Sequence, residues 1–221
     1  MMHEGHETMS STESSPIARH KGRPRSFDRD HALTQALDVF WHRGYELASV
    51  AELCAAMGIN PPSLYAAFGN KAKLFVEAVD FYEHLYWNPA WLALNAEDDL
   101  HIAVRNFFDS AARILLSPQA PCGCLVVTAA ASVSEDSVEV RTAINALRLE
   151  GKNSFAKRLT RAISEGQLPV ETEVSSLADA LNTMLEGMSI QARDGLTLAQ
   201  MRRLAAHATR LLPPPFATTS S

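Results

Sequence analysis

Apolar residues recur with helical spacing through most of this chain, and the sharpest pattern lies in residues 49–75. There Val50, Leu53, Cys54 and Met57 stand at i, i+3, i+4 and i+7, one apolar stripe on a two-turn helix. Ser49 with Glu52 three residues later reads as a capping box at its start. Gly58 ends it, because the turn wants a left-handed residue and glycine has no Cβ to clash. Asn60 then caps a second short helix over 61–68, with Pro61 at the first position, where a missing N–H costs nothing. Gly69 stops that helix and Asn70 caps a third from Lys71. Ahead of them, Asp28 caps a helix running to about Arg43, with Leu33, Ala36, Leu37 and Phe40 on one face and Gly44 as its stop. Two short helices around a glycine turn, braced by a preceding helix, make a helix-turn-helix whose second helix can enter a major groove.

The helical spacing continues to residue 212. Leu74, Phe75, Ala78, Val79, Tyr82 and Leu85 extend the helix from Lys71 until Trp87-Asn88-Pro89 breaks it. Residues 98–116 read as a strongly apolar helix, with Phe107 and Phe108 inside. A small-residue helix runs to Ala131, and amphipathic helices are expected over 137–165, 174–193 and 198–212. The fold class is therefore all-α. The chain divides into a disordered tail (1–18), a helix-turn-helix domain with a basic arm (19–70), a helical C-terminal domain (71–212) and a second disordered tail (213–221).

Composition changes this picture little. With 221 residues, 47% of them hydrophobic and 20% charged, the chain can bury a substantial core. No apolar run reaches the roughly 20 residues of a membrane span, and the acidic N-terminus is not a secretory signal. Three cysteines make no disulfide framework, so a cytoplasmic setting is expected. No Gly-rich phosphate loop, nucleophile elbow or metalloprotease motif is present, which argues against an enzyme.

Charge distribution matters more than the net value of −5. Residues 16–73 carry eight Lys or Arg against five Asp or Glu, whereas residues 74–221 carry twelve against seventeen. A basic module on an acidic body suits one end that meets phosphate. Residues 19–25, with Arg23 and Arg25 around Pro24, can follow a DNA backbone or enter a minor groove.

These residues resemble the DNA-binding domain of the TetR family of transcriptional regulators. The likeness runs from about Gly22 to Tyr82 and rests on Gly44-Tyr45, Ser63-Leu64-Tyr65, Phe68-Gly69 and Lys71. Residues 23–90 and the later Gly-Cys-Leu and Gly-Met-Ser-Ile-Gln-Ala-Arg segments resemble the ComR-type branch. The resemblance implies a homodimer bound to double-stranded operator DNA, usually a repressor released by a small-molecule effector. It implies that the last two helices form the dimer interface. Tyr65 and Lys71 match positions that usually contact phosphate, with Ser49 and Ser63 as further contacts. Asn60, Pro61, Pro62, Ser63 and Ala66 would face the groove, and Leu64 and Phe68 the core. That surface carries no Arg, Gln or Lys for bidentate base contacts, so specificity is expected to lean on Arg23, Arg25 and DNA shape.

Two readings of the effector stay open. An apolar or aromatic molecule would sit among Phe81, Trp87, Trp91, Phe107, Phe108 and Met184. Alternatively, Cys122 and Cys124 form a C-x-C pair that could take copper or respond to oxidants, with a thiolate pKa lowered at a helix N-terminus and help from His84 or His101. Cysteine as a small buried hydrophobe is the plainer alternative. A helical dimerisation scaffold without DNA binding is the remaining class.

Overall fold

A computed structural model describes residues 28–118, 122–130 and 133–214, with Ala129 and Ala130 by backbone alone. The basic arm, including Arg23 and Arg25, lies outside the described residues. Among the described residues the regular structure is helical throughout. The α-helices are α1 (Arg29–Leu47), α2 (Val50–Met57), α3 (Pro61–Phe68), α4 (Lys71–Tyr82), α5 (Asn88–Ala96), α6 (Leu100–Leu115), α7 (Leu125–Ala130), α8 (Val138–Ser164), α9 (Val174–Arg193) and α10 (Leu198–Ala205).

The first four helices start where their caps demand. Asp28 accepts from the His31 N–H at 3.0 Å, Asn60 from Ser63 at 2.9 Å and Asn70 from Lys73 at 2.7 Å. Ser49 and Glu52 complete the reciprocal capping box. Each such cap stabilises its helix by about 1 kcal/mol. Gly58 closes α2 with φ of 67°. Gly44 (φ 73°) kinks α1 rather than ending it, and one short turn follows to Leu47.

Trp87-Asn88-Pro89 does not break the chain as expected. Residues Glu83–Trp87 form a π-helical turn that joins α4 to α5, and the Asn88 N–H donates to the Glu83 carbonyl. Pro89 lies in the first turn of α5, where its missing N–H is tolerated. The helix expected over 198–212 ends at Ala205, and a 3₁₀ turn covers Ala208–Leu211.

One apolar core runs through both ends of the molecule. In the head, Phe75 of α4 meets Phe40 edge-on at 4.9 Å and Tyr45 at 5.1 Å. Helix α4 therefore belongs by packing to the head as much as to the body. In the body Trp91, Phe107 and Phe155 pack with ring centres 4.3–5.1 Å apart. Arg158 is buried beside them and donates to the carbonyls of Leu94, Glu97 and Asp98 at the end of α5.

Candidate nucleic-acid interface and effector cavity

Three polar links make α1–α4 one rigid head. Arg29 forms a two-pronged pair with Glu77 (2.5 and 2.7 Å), donates to the Ala67 carbonyl, and lies over the Phe68 ring. Arg43 pairs with Glu52 at 3.0 Å, tying α1 to α2. Lys71 donates to the carbonyls of Tyr45 (3.0 Å) and Ala48 (3.2 Å).

On this frame α3 buries Leu64 and Phe68 and leaves Pro61, Pro62, Ser63, Tyr65 and Ala66 exposed. That face is apolar with two hydroxyls, suited to thymine methyls and single hydrogen bonds and lacking any bidentate base reader. Asn60 and Ser49 stand at the starts of α3 and α2, both exposed, with side chains engaged as caps. The Lys71 ammonium differs from the phosphate-facing expectation. It points inward to the end of α1, because the turn after Gly44 leaves carbonyls that need donors. Lys73, exposed in the first turn of α4, makes no ion pair among the described residues and was not singled out by the sequence reading.

In the body, α4, the π turn, α5, α7, α8 and α9 line a partly open cavity of about 200 Å³. Of the six residues expected around an effector, only Trp87 and Trp91 line it. Phe107 and Phe108 are buried against Phe155 and fill the core, while Phe81 and Met184 are half-buried outside the lining. The cavity is instead polar on one side. Glu83, Arg148, Glu150 and Glu186 contribute, as does Gly151 on α8. A Cβ on Gly151 would stand 3.4 Å from the Asn182 side chain and 3.6 Å from the Trp91 ring, facing into this wall. Glu83, Trp87 and Trp91 are spaced by four, a signal the sequence does carry.

The C-x-C pair does not converge. Cys122 is exposed and Cys124 buried. Gly123 between them needs φ of 93°, and a Cβ there would press within 3.0 Å of the Ser189 carbonyl. The Cys124 N–H donates to the Ser189 hydroxyl at 2.7 Å, anchoring α7 on α9. Burial, then the nearby Glu83 carboxylate, push the Cys124 thiol up to about 12, the reverse of the low-pKa thiolate expected. Among the described residues no cluster of three His, Cys, Asp or Glu could hold a metal ion. His101 bonds the Pro213 carbonyl instead. The thiol and copper reading is therefore not favoured. Cys54 is buried in the helix-turn-helix as packing.

A helix-turn-helix with an exposed second helix, braced by a third and joined to an all-helical body with a cavity, defines a one-component DNA-binding regulator. The chain belongs to the TetR family of bacterial regulatory proteins. Residues 32–78 match that family's N-terminal domain, and residues 103–210 match the tetracycline repressor-like C-terminal domain. It is 32% identical over 198 residues to the HTH-type transcriptional repressor ComR of Escherichia coli K12, covering 89% of this chain and 94% of that protein. Similarity extends to the repressor BdcR of the same organism, 28% identical over 86% of this chain and 92% of that one. A solved structure of the regulator CifR, a cysteine mutant in complex with a 26-base-pair operator, superposes with a TM-score of 0.82. It is 40% identical and covers 86% of this chain and 100% of that one. Among the described residues no helix is long and apolar enough to cross a membrane.

Proposed function

We propose that this chain is a cytoplasmic repressor that binds operator DNA as a homodimer and is released when a small molecule fills the body cavity. The exposed face of α3, held rigid by Arg29, Arg43 and Lys71, is the observation that carries this reading. In it, α3 lies in the major groove with Asn60, Pro61, Pro62 and Ser63 at base edges. Ser49 and the Tyr65 hydroxyl meet phosphate, and Arg23 and Arg25 follow the adjoining backbone or minor groove. The operator complex of CifR supports this mode of use.

The coupling between cavity and head runs along α7. Cys124, Val126 and Val127 form one wall of the cavity. Past α7, the Ser134 N–H and Ser137 hydroxyl both donate to Glu46 at 2.9 Å, on the last turn of α1. Lys71 holds the same turn from below. A ligand that moves α7 thus shifts the end of α1 and the spacing of the two recognition helices.

The test is fluorescence anisotropy with duplex DNA from the promoter upstream of the gene, run from low to high salt. A steep fall in affinity with salt, and much weaker binding to a scrambled duplex, are expected. Binding that is absent, or insensitive to both, would sink the reading.

A further inference from the structure

We propose that the body cavity takes a small organic cation with a flat or apolar body, held by the carboxylate of Glu83 beside Trp87 and Trp91. This deepens the regulator reading and depends on it only for the effect on DNA.

The cavity lining is acidic. Asp80, Glu83, Glu150 and Glu186 face a single guanidinium, Arg148. Arg148 is already matched by Glu186 through two bonds of 3.0 and 2.7 Å, and Asn182 donates to the same carboxylate. Glu83 has no such partner: its carboxylate accepts no hydrogen bond and joins no ion pair among the described residues. The residue is half-buried, with its carboxylate in the lining of the cavity. Burial first, then the charges of Glu150 and Asp80, push its pKa up to about 8. A half-buried carboxylate without a protein donor is less well solvated than in open water, and a cation entering the cavity supplies a partner for it.

The remaining walls select the rest of the ligand. Trp87 and Trp91 follow Glu83 by four and eight residues, and indole faces attract cations at short range. The Trp87 N–H is taken by the Tyr82 hydroxyl at 2.8 Å, so it is not a donor left for an anion. Val126, Val127, Leu147 and Leu185 complete an apolar side. A metal ion fits poorly, because no three ligating side chains converge among the described residues. An anion would meet three more carboxylates than guanidinium groups.

Proton linkage gives this ligand class a signature. At neutral pH Glu83 is mostly protonated, so a cation of fixed charge must displace that proton. Affinity then rises about tenfold between pH 7 and pH 9. Other groups also face this carboxyl. Asp80 and His84 come from its own helical run, Arg148 and Glu150 from α8, and Glu186 from α9. Tyr82 and Cys124 also lie against it, but both are pushed up by burial, Cys124 to about 12, and hold their protons across this range.

The experiment is calorimetric titration of the full chain with benzyltrimethylammonium and with neopentylbenzene, its neutral carbon isostere, at pH 7, 8 and 9. The cation is expected to bind at least tenfold more tightly than the isostere at pH 9, with the stated gain across pH. Glu83→Gln should keep its helical circular dichroism and lose both the preference and the pH dependence. Gly151→Leu, which fills the cavity without removing a charge, should lose binding of both compounds. Equal affinity for the isostere, a flat pH profile, or unchanged binding in Glu83→Gln would overturn the assignment. DNA affinity measured alongside separates the two readings. Glu83-dependent cation binding that leaves DNA affinity unchanged upholds the cavity's ligand class and removes it as the effector site. A protein that binds DNA but no cation overturns the ligand class alone.

Discussion

The ammonium of Lys71 lies 3.0 Å from the carbonyl oxygen of Tyr45 and 4.4 Å from the centre of the same residue's ring. The carbonyls of Ala48 and Glu46 stand at 3.2 and 3.4 Å. One side chain from the start of α4 therefore closes the frayed end of α1. Lys71→Met should lower unfolding free energy by about 1–3 kcal/mol in a urea titration. The salt slope of DNA binding should barely change. A slope smaller by about one, with stability intact, would instead make Lys71 a phosphate contact.

Tyr65 is half exposed, and its hydroxyl makes no hydrogen bond among the described residues. Tyr65→Phe should leave the melting temperature within a degree or two, since surface changes of this kind stay within about 0.5 kcal/mol. Duplex binding should weaken several-fold. Unaltered binding would remove this hydroxyl from the interface.

Glu46 is held below the usual carboxylate range, first by the Ser134 N–H and then by the hydroxyls of Ser134 and Ser137. A depressed folded-state value contributes stability above the unfolded pKa, and that contribution is lost as pH falls through the folded value. The stability difference between the protein and Glu46→Gln should therefore be present at pH 7 and shrink as pH falls below the ordinary carboxylate value of 4.5. The same variant should bind DNA yet respond less to effector. A full response would disconnect this contact from signalling.

Glu83 has the opposite sign. Its folded-state value, about 8, lies above the ordinary 4.5, so the folded protein holds a proton that the unfolded chain releases between those values. Stability from this site is fully present below pH 4.5 and declines as pH rises through 8. Glu83→Gln should melt higher than the parent at pH 9, by about 1–2 kcal/mol, and match it near pH 5. Parallel curves at the two pH values would contradict this.

Thr183, Gly187 and Ile190 lie exposed along one face of α9, and a Cβ on Gly187 would meet nothing within 4 Å. Gly187→Arg has room within a single subunit but would obstruct a partner packed on that face. Sedimentation should show the variant shifted from dimer toward monomer with its helical content unchanged. A variant that remains dimeric would move the interface elsewhere.

The helix-turn-helix was legible because its signals are local. Ser49, Asn60 and Asn70 each cap a donor three residues ahead, so a short window of sequence holds the whole interaction. The cavity was not, because its walls come from segments about 100 residues apart. Phe107 and Phe108 read as pocket rings, yet Phe155 of α8 reaches across and packs them into the core. Cys124 read as a helix-start thiolate, but burial, and then Glu83 from a distant segment, push its thiol up. Nothing local marks Arg158, and only the fold shows the three carbonyls that it serves.

The wide turn at Glu83–Trp87 carries one residue more than an α-helix would need. Each residue of an α-helix advances the screw by about 100°, so everything after the turn is rotated relative to everything before it. Leu85, exposed on the turn, is itself no part of the core, so its deletion would act through register alone. The shortened chain would then place Pro89 inside a continuous helix, where its ring meets a carbonyl one turn back, and would swing Trp91 away from Glu83. The head would be untouched while the body lost the register of its binding wall. A single extra residue thus works as a phase offset, setting which side chains a sensor shows to its ligand independently of those it shows to DNA.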